Sequence, residues 1–165
     1  MKKALSLAAM LFAAPSLIAH DSFEITLEIQ QKRKTIEVRM EMACSTATAA
    51  TDPEPSNGVL FEPAEFSEWE EKFLAAAPEL IHLVDNNGAL PLKSTSSKLS
   101  REDDVLILYS YESAEDLPLE IQAPMLNRFP DMGFGVLVTF RDKAGKWYPP
   151  FVLFLDSQQA PLPAI

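Results

Sequence analysis

Apolar and polar residues alternate with period two at the front of the chain. Phe23, Ile25, Leu27 and Ile29 interleave with Glu24, Thr26, Glu28 and Gln30. After the polar break Gln31-Lys32-Arg33-Lys34, Ile36, Val38, Met40 and Met42 interleave with Glu37, Arg39 and Glu41. Period two predicts two half-buried strands, and the short polar link makes them a hairpin. Ala43 to Asn57 is rich in Ala, Ser, Thr and Pro and predicts a loop. The period then changes. Phe66, Trp69 and Phe73 fall at i, i+3 and i+7 among Glu65, Glu68, Glu70 and Glu71. With Pro63 suited to a first turn and Pro78 barring continuation, an amphipathic helix near residues 63–76 follows.

Leu80 to Val84 predicts a short strand, closed by the turn Asp85-Asn86-Asn87-Gly88. Pro91 puts Leu90-Pro91-Leu92 at a sheet edge, and polar Lys93 to Asp104 predicts a second loop. Val105 to Tyr111 and Leu117 to Ile121 read as strands. Phe134 to Phe140 and Trp147 to Leu155 form a closing hairpin around Asp142-Lys143-Ala144-Gly145-Lys146, with Pro149 and Pro150 restricting the last strand to an edge or bulge. The expected fold is mainly β: an antiparallel, Ig-like β-sandwich of about eight strands with one inserted amphipathic helix.

The first nineteen residues carry a different signal. Lys2 and Lys3 precede the short apolar stretch Ala4 to Ala14, Pro15 and Ser16 break it, and Leu17-Ile18-Ala19 ends on a small residue. That is the pattern of a cleaved export signal over 1–19, too short to cross a bilayer, which takes about 20 residues. The mature protein would be one domain over 20–165, beginning at His20 and lacking a transmembrane segment. The expected location is periplasmic or secreted.

Composition narrows the rest. With 47% apolar residues over 165 positions, the chain can build a core without disulfides. Its 14 basic and 24 acidic residues give −10, and losing Lys2 and Lys3 makes the mature chain −12. Such a charge argues against nucleic acid and anionic membrane as partners. Cys44 is the one cysteine, so no intramolecular disulfide forms, and it reads as a small buried hydrophobe. No Gly-rich phosphate loop, serine elbow, paired cysteines or H-E-x-x-H occurs, and Cys44 with His82 is the sole thiol–imidazole pair. No catalysis is expected.

The chemistry that remains centres on His20. Once freed by processing, it offers its α-amine and ring Nδ1; a second imidazole, His82, would complete a three-nitrogen set suited to Cu(II). Met40, Met42 and Cys44 share the parity of Ile36 and Val38, so they could hold Cu(I) or fill core gaps. Asp85-Asn86-Asn87-Gly88 starts like a calcium loop, but its twelfth position is Ser96 rather than Glu, which favours a plain turn. Phe129-Pro130-Asp131-Met132-Gly133 and Trp147-Tyr148-Pro149-Pro150 are aromatic–proline clusters that either line a partner groove or turn core corners.

In His20 at the mature start, His82 as second ligand and sandwich architecture, the chain resembles the histidine-brace copper proteins. That resemblance implies copper as cofactor with metal ligands His20 and His82. Through Ala19-His20, the strand Phe23 to Ile29, the turn at Asp85 and the closing hairpin, it also resembles the extracytoplasmic β-domain of hydrogenase/urease-accessory-type (HupE/UreJ-like) membrane proteins. No membrane helices follow in this sequence, so that resemblance implies a soluble relative or a detached module, not a transporter. The expected function is therefore an exported, non-catalytic β-sandwich binding copper. The alternative is a metal-free interaction or assembly module holding a periplasmic or membrane protein by an edge strand or an aromatic–proline cluster.

Overall fold

The computed structural model describes residues 25–52, 62–112, 119–130, 133 and 135–163. Two strands open it, β1 (Ile25–Gln31) and β2 (Thr35–Met42), paired antiparallel with Ile25 opposite Met42 and Ile29 opposite Val38. Their apolar parity, from Ile25 through Met42, is buried and their charged parity faces outward, so the predicted hairpin forms with its expected faces.

The segment expected to be a loop after β2 instead begins as helix α1 (Cys44–Thr51). Thr46 and Thr48 are buried there. The Thr48 and Thr51 hydroxyls donate back to the carbonyls of Cys44 and Ala47, both at 2.9 Å, which removes much of the penalty of burying a threonine in a helix. The strand ends at Met42 and Cys44 opens α1, so the period-two parity that Met40 and Met42 share does not extend to Cys44.

A 3₁₀ turn at Pro63–Glu65 leads into helix α2 (Phe66–Leu80), with the Glu62 amide donating to the Glu65 carboxylate at 3.0 Å. The helix runs through Pro78 rather than stopping before it. Proline lacks the N–H that would reach Leu74 and costs about 3 kcal/mol in a helix interior, but here it sits in the last turn. Continuing two residues further buries Leu80 with Phe73 and Ala77. Full burial of a leucine gains about 1.5–3 kcal/mol, of similar size to that cost.

The remaining strands are β3 (His82–Asp85), β4 (Gly88–Ala89), β5 (Leu92–Leu99), β6 (Val105–Glu112), β7 (Glu120–Gln122), β8 (Gly135–Arg141), β9 (Phe151–Phe154) and β10 (Gln159–Pro161). β5 replaces the loop expected at Lys93 to Asp104, and β3 starts two residues later than expected because α2 takes Leu80. A 3₁₀ turn, Pro124–Arg128, follows β7.

The ten strands among the described residues make two sheets. The larger has the order β5-β6-β2-β1-β8-β9 and the smaller β10-β7-β3-β4. Pairing is antiparallel except between β1 and β8, which run parallel with Leu27 opposite Val138. One apolar core joins the inner face of the large sheet to α2, the second 3₁₀ turn and Leu83 and Ile121 of the small sheet. The architecture is mainly β and sandwich-like, with the long helix inserted as expected. Among the described residues, no helix is long and apolar enough to cross a membrane.

Candidate functional site: an apolar groove beside β9

The 3₁₀ turn after β7 exists because Pro124 fixes the first residue and Met125 and Leu126 bury their side chains. Phe129 follows it into the core, and Pro130 emerges to solvent. Opposite stands the end of β9, where Phe154 and Ser157 exchange backbone hydrogen bonds across a tight turn. That turn projects Phe154 (44% exposed) and Leu155 (39% exposed) outward.

Two amides hold these walls together. Asn127 Nδ2 donates to Gln158 Oε1 at 3.2 Å, and Gln158 Nε2 donates to Asn127 Oδ1 at 2.6 Å. The Ala123 amide also donates to the Gln158 carbonyl at 2.8 Å. Between the walls lies a groove of about 500 Å³ lined by Leu126, Phe129, Pro130, Phe154 and Leu155, with Asp156 at its rim. Phe154 and Leu155 thus stand as two large apolar side chains on adjacent positions beside an apolar cleft.

The two aromatic–proline clusters thus part ways. Phe129-Pro130 builds the groove, while Asp131 and Met132 lie outside the described residues. Trp147 is 51% exposed, but it bridges to Arg141, whose guanidinium lies 5.5 Å from its ring. Arg141 ends β8, whereas Gly135 at the other end pairs with Phe154, so the hairpin separates the clusters by roughly 20 Å. Tyr148 packs on Phe140 and donates to Asp142 at 3.2 Å, the core-corner use.

His82 opens β3 rather than sitting mid-strand, opposite Gln122 of β7. Its Nε2 is 3.2 Å from the Pro78 carbonyl. A carbonyl only accepts, so Nε2 carries the proton and helps satisfy the C-terminal end of α2. The ring borders a cleft of about 200 Å³ between Pro78, Leu90 and Tyr111. His20 lies outside the described residues, as does the expected signal segment 1–19. Among the described residues, no three of His, Cys, Asp and Glu gather as a metal-ligand group.

Cys44 and His82 have separate partners. The Cys44 thiol donates to the Asp103 carbonyl at 3.0 Å, and burial, then the carboxylates of Asp104, Asp103 and Glu62, push its pKa up. A thiol so placed is a poor nucleophile. Asp85 turns on itself, accepting from the Asn87 amide at 2.6 Å, while Ser96 lies within β5; the segment is a hairpin turn and not a calcium loop.

The sequence singled out Phe129 and Pro130 but not Leu126, Phe154 or Leu155, which arrive through long-range pairing that no local pattern announces. No family model matches the chain, and no curated protein matches it.

Proposed function

We propose that this is an exported, non-catalytic β-sandwich protein that holds a protein partner by docking an extended segment of it in the groove between Leu126, Phe129, Pro130, Phe154 and Leu155. The observation that carries this reading is the pair of exposed side chains, Phe154 and Leu155, beside that apolar cleft. Export rests on Lys2-Lys3, the apolar stretch to Ala14 and the small residue Ala19.

The groove is favoured over an edge strand for a physical reason. At β9, Pro149 and Pro150 bring no N–H groups, and the Phe154 backbone is occupied by Ser157. At the other edge, β5 has a register shift between Leu92 and Ser94 and carries exposed Lys93 and Lys98, features that discourage strand addition. The chain's charge of −10 and Asp156 at the rim suit a segment that alternates apolar and basic residues.

The test is a ¹⁵N NMR titration with a decapeptide alternating leucine and lysine, beside one alternating leucine and glutamate. The lysine peptide should give saturable shifts at Leu126, Phe129, Phe154 and Leu155. Phe154→Ser with Leu155→Ser should weaken it at least tenfold, and the glutamate peptide should not saturate. Shifts centred elsewhere, or equal binding by both peptides, would overturn the reading.

A second reading, copper binding by His20 and His82, is favoured by the His82 tautomer. With Nε2–H engaged by a carbonyl, Nδ1 keeps the lone pair, the arrangement metal-binding histidines use. Protein processed to His20 should then take up one Cu(II) with nitrogen hyperfine structure in its EPR spectrum. His82→Ala, His20→Ala and the unprocessed chain should each bind far more weakly; uptake equal to the processed protein in all three would refute the site.

A further inference from the structure

A strand with one face in water should alternate, and β1 and β2 do. β6 does not. Val105-Leu106-Ile107-Leu108-Tyr109 is apolar at both parities, the pattern of a strand covered on both faces. Val105, Ile107 and Tyr109 belong to the core, which leaves Leu106 and Leu108 on the outer face of the large sheet. Their cross-strand neighbours are charged or small: Lys98 and Glu41 flank Leu106, and Ser96 and Arg39 flank Leu108.

Leu106, Leu108, Arg39, Glu41 and Lys98, with the Ser100–Glu102 loop, line an open cleft of about 590 Å³. That is within the size of small-molecule sites, about 300–1,000 Å³. Leu106 is only 4% exposed at its floor. Arg39 is neutralised by Glu41 at 2.9 Å. Lys98 and Arg101 have no ion pair among the described residues, so the cleft holds two uncommitted cations against Glu102 in a chain whose net charge is −10.

The loop carrying Arg101 is preorganised. The Ser100 amide donates to the Asp104 carbonyl at 2.8 Å, and its hydroxyl accepts from the amides of Glu102 and Asp104 at 3.1 and 3.2 Å. Asp103 adopts the left-handed conformation at φ 63°, which Asp tolerates better than most residues, and its carbonyl takes the Cys44 thiol from α1.

We propose that this cleft binds a small amphiphile bearing one carboxylate. Lys98 and Arg101 hold the carboxylate, and Leu106 and Leu108 receive the aliphatic chain. One negative charge is favoured over two because Glu102 stands beside the two cations and leaves a net charge of one to be met. The site lies toward the β5 edge of the sheet, opposite the β9 edge where the partner groove opens, and is independent of it.

Octanoate is the probe, with octanol (tail without charge) and acetate (charge without tail) as controls, followed by ¹⁵N NMR on the whole chain. Octanoate should shift the amides of Leu106, Leu108 and the Ser100–Glu102 loop saturably. Its affinity should exceed either control by about tenfold, and added salt should weaken it. Lys98 and Arg101 are exposed, so Lys98→Gln with Arg101→Gln should leave the rest of the spectrum unchanged while weakening octanoate about tenfold and octanol not at all. Diffuse, non-saturating shifts, acetate binding as tightly as octanoate, or full retention of octanoate by the double variant would each overturn the site.

Discussion

Tyr109 and Tyr111 stack on the inner face of β6, their centroids 6.1 Å apart and their planes 8° from parallel, yet their hydroxyls differ. Tyr111 donates to the Ile81 carbonyl at 3.3 Å; the buried Tyr109 hydroxyl has no partner among the described residues. An unpaired buried hydroxyl costs about 1–3 kcal/mol, whereas a satisfied one contributes about 1 kcal/mol net. Tyr109→Phe should therefore leave stability unchanged or raise it by up to about 1 kcal/mol, and Tyr111→Phe should lower it by about 1 kcal/mol, both read from urea denaturation. Equal losses in the two variants would show that the hydroxyls are equivalent after all. Neither difference was legible in the sequence: alternation at Tyr109 and Tyr111 tells which way the rings point, not which hydroxyl meets a carbonyl thirty or more residues away.

Among elements, those with a clear period were legible. Ile25 to Met42 alternate on the core face with Gln31 as the one polar residue buried there, and Phe66, Trp69 and Phe73 mark the helix whose rings then pack at 5.9 and 6.1 Å. α1 and β5 were not legible. In α1 the buried residues are alanines and threonines, so burial there follows no contrast between apolar and polar types. In β5, polar residues occupy both faces because the inner one meets α2 at a polar contact, Ser97 donating to Glu70 at 3.5 Å. Arg128 shows how a third element completes α1: its guanidinium donates to the Ala50 carbonyl and pairs with Glu79 of α2 at 3.1 Å. The candidate site follows the same rule. Phe129 and Pro130 stood out locally, but the groove depends on Asn127 meeting Gln158, a pairing 31 residues long.

At the scale of the whole molecule, two kinds of buried group bound the pH range of stability from opposite sides. On the acid side stands Asp142, whose carboxylate receives the Lys146 and Ala144 amides at 2.9 Å and the Tyr148 hydroxyl at 3.2 Å. The Lys146 amide lowers its pKa most; burial opposes, and the Tyr148 hydroxyl, the Ala144 amide and the Lys146 charge add to the lowering. A folded pKa below the unfolded value, about 3.9, means this stabilisation is intact above that value and fades as pH falls through the folded one. On the alkaline side, burial raises both Tyr109 and Tyr111, with the Tyr111 charge adding to Tyr109. Above about pH 10 the unfolded chain releases these protons while the native state keeps them, so stability falls by up to about 1.4 kcal/mol per pH unit for each tyrosine. The urea midpoint should thus hold a plateau from about pH 5 to 9 and decline on both sides. Asp142→Asn should lower the plateau and flatten the acid limb; Tyr109→Phe should make the alkaline limb shallower. Because a chain at −10 also repels itself more as pH rises, part of the alkaline decline is long-range and should shrink in 0.5 M salt. The tyrosine part is desolvation and should survive that salt. An alkaline limb that vanishes in salt, or that runs parallel in wild type and Tyr109→Phe, would show that repulsion and not tyrosine burial sets the upper limit.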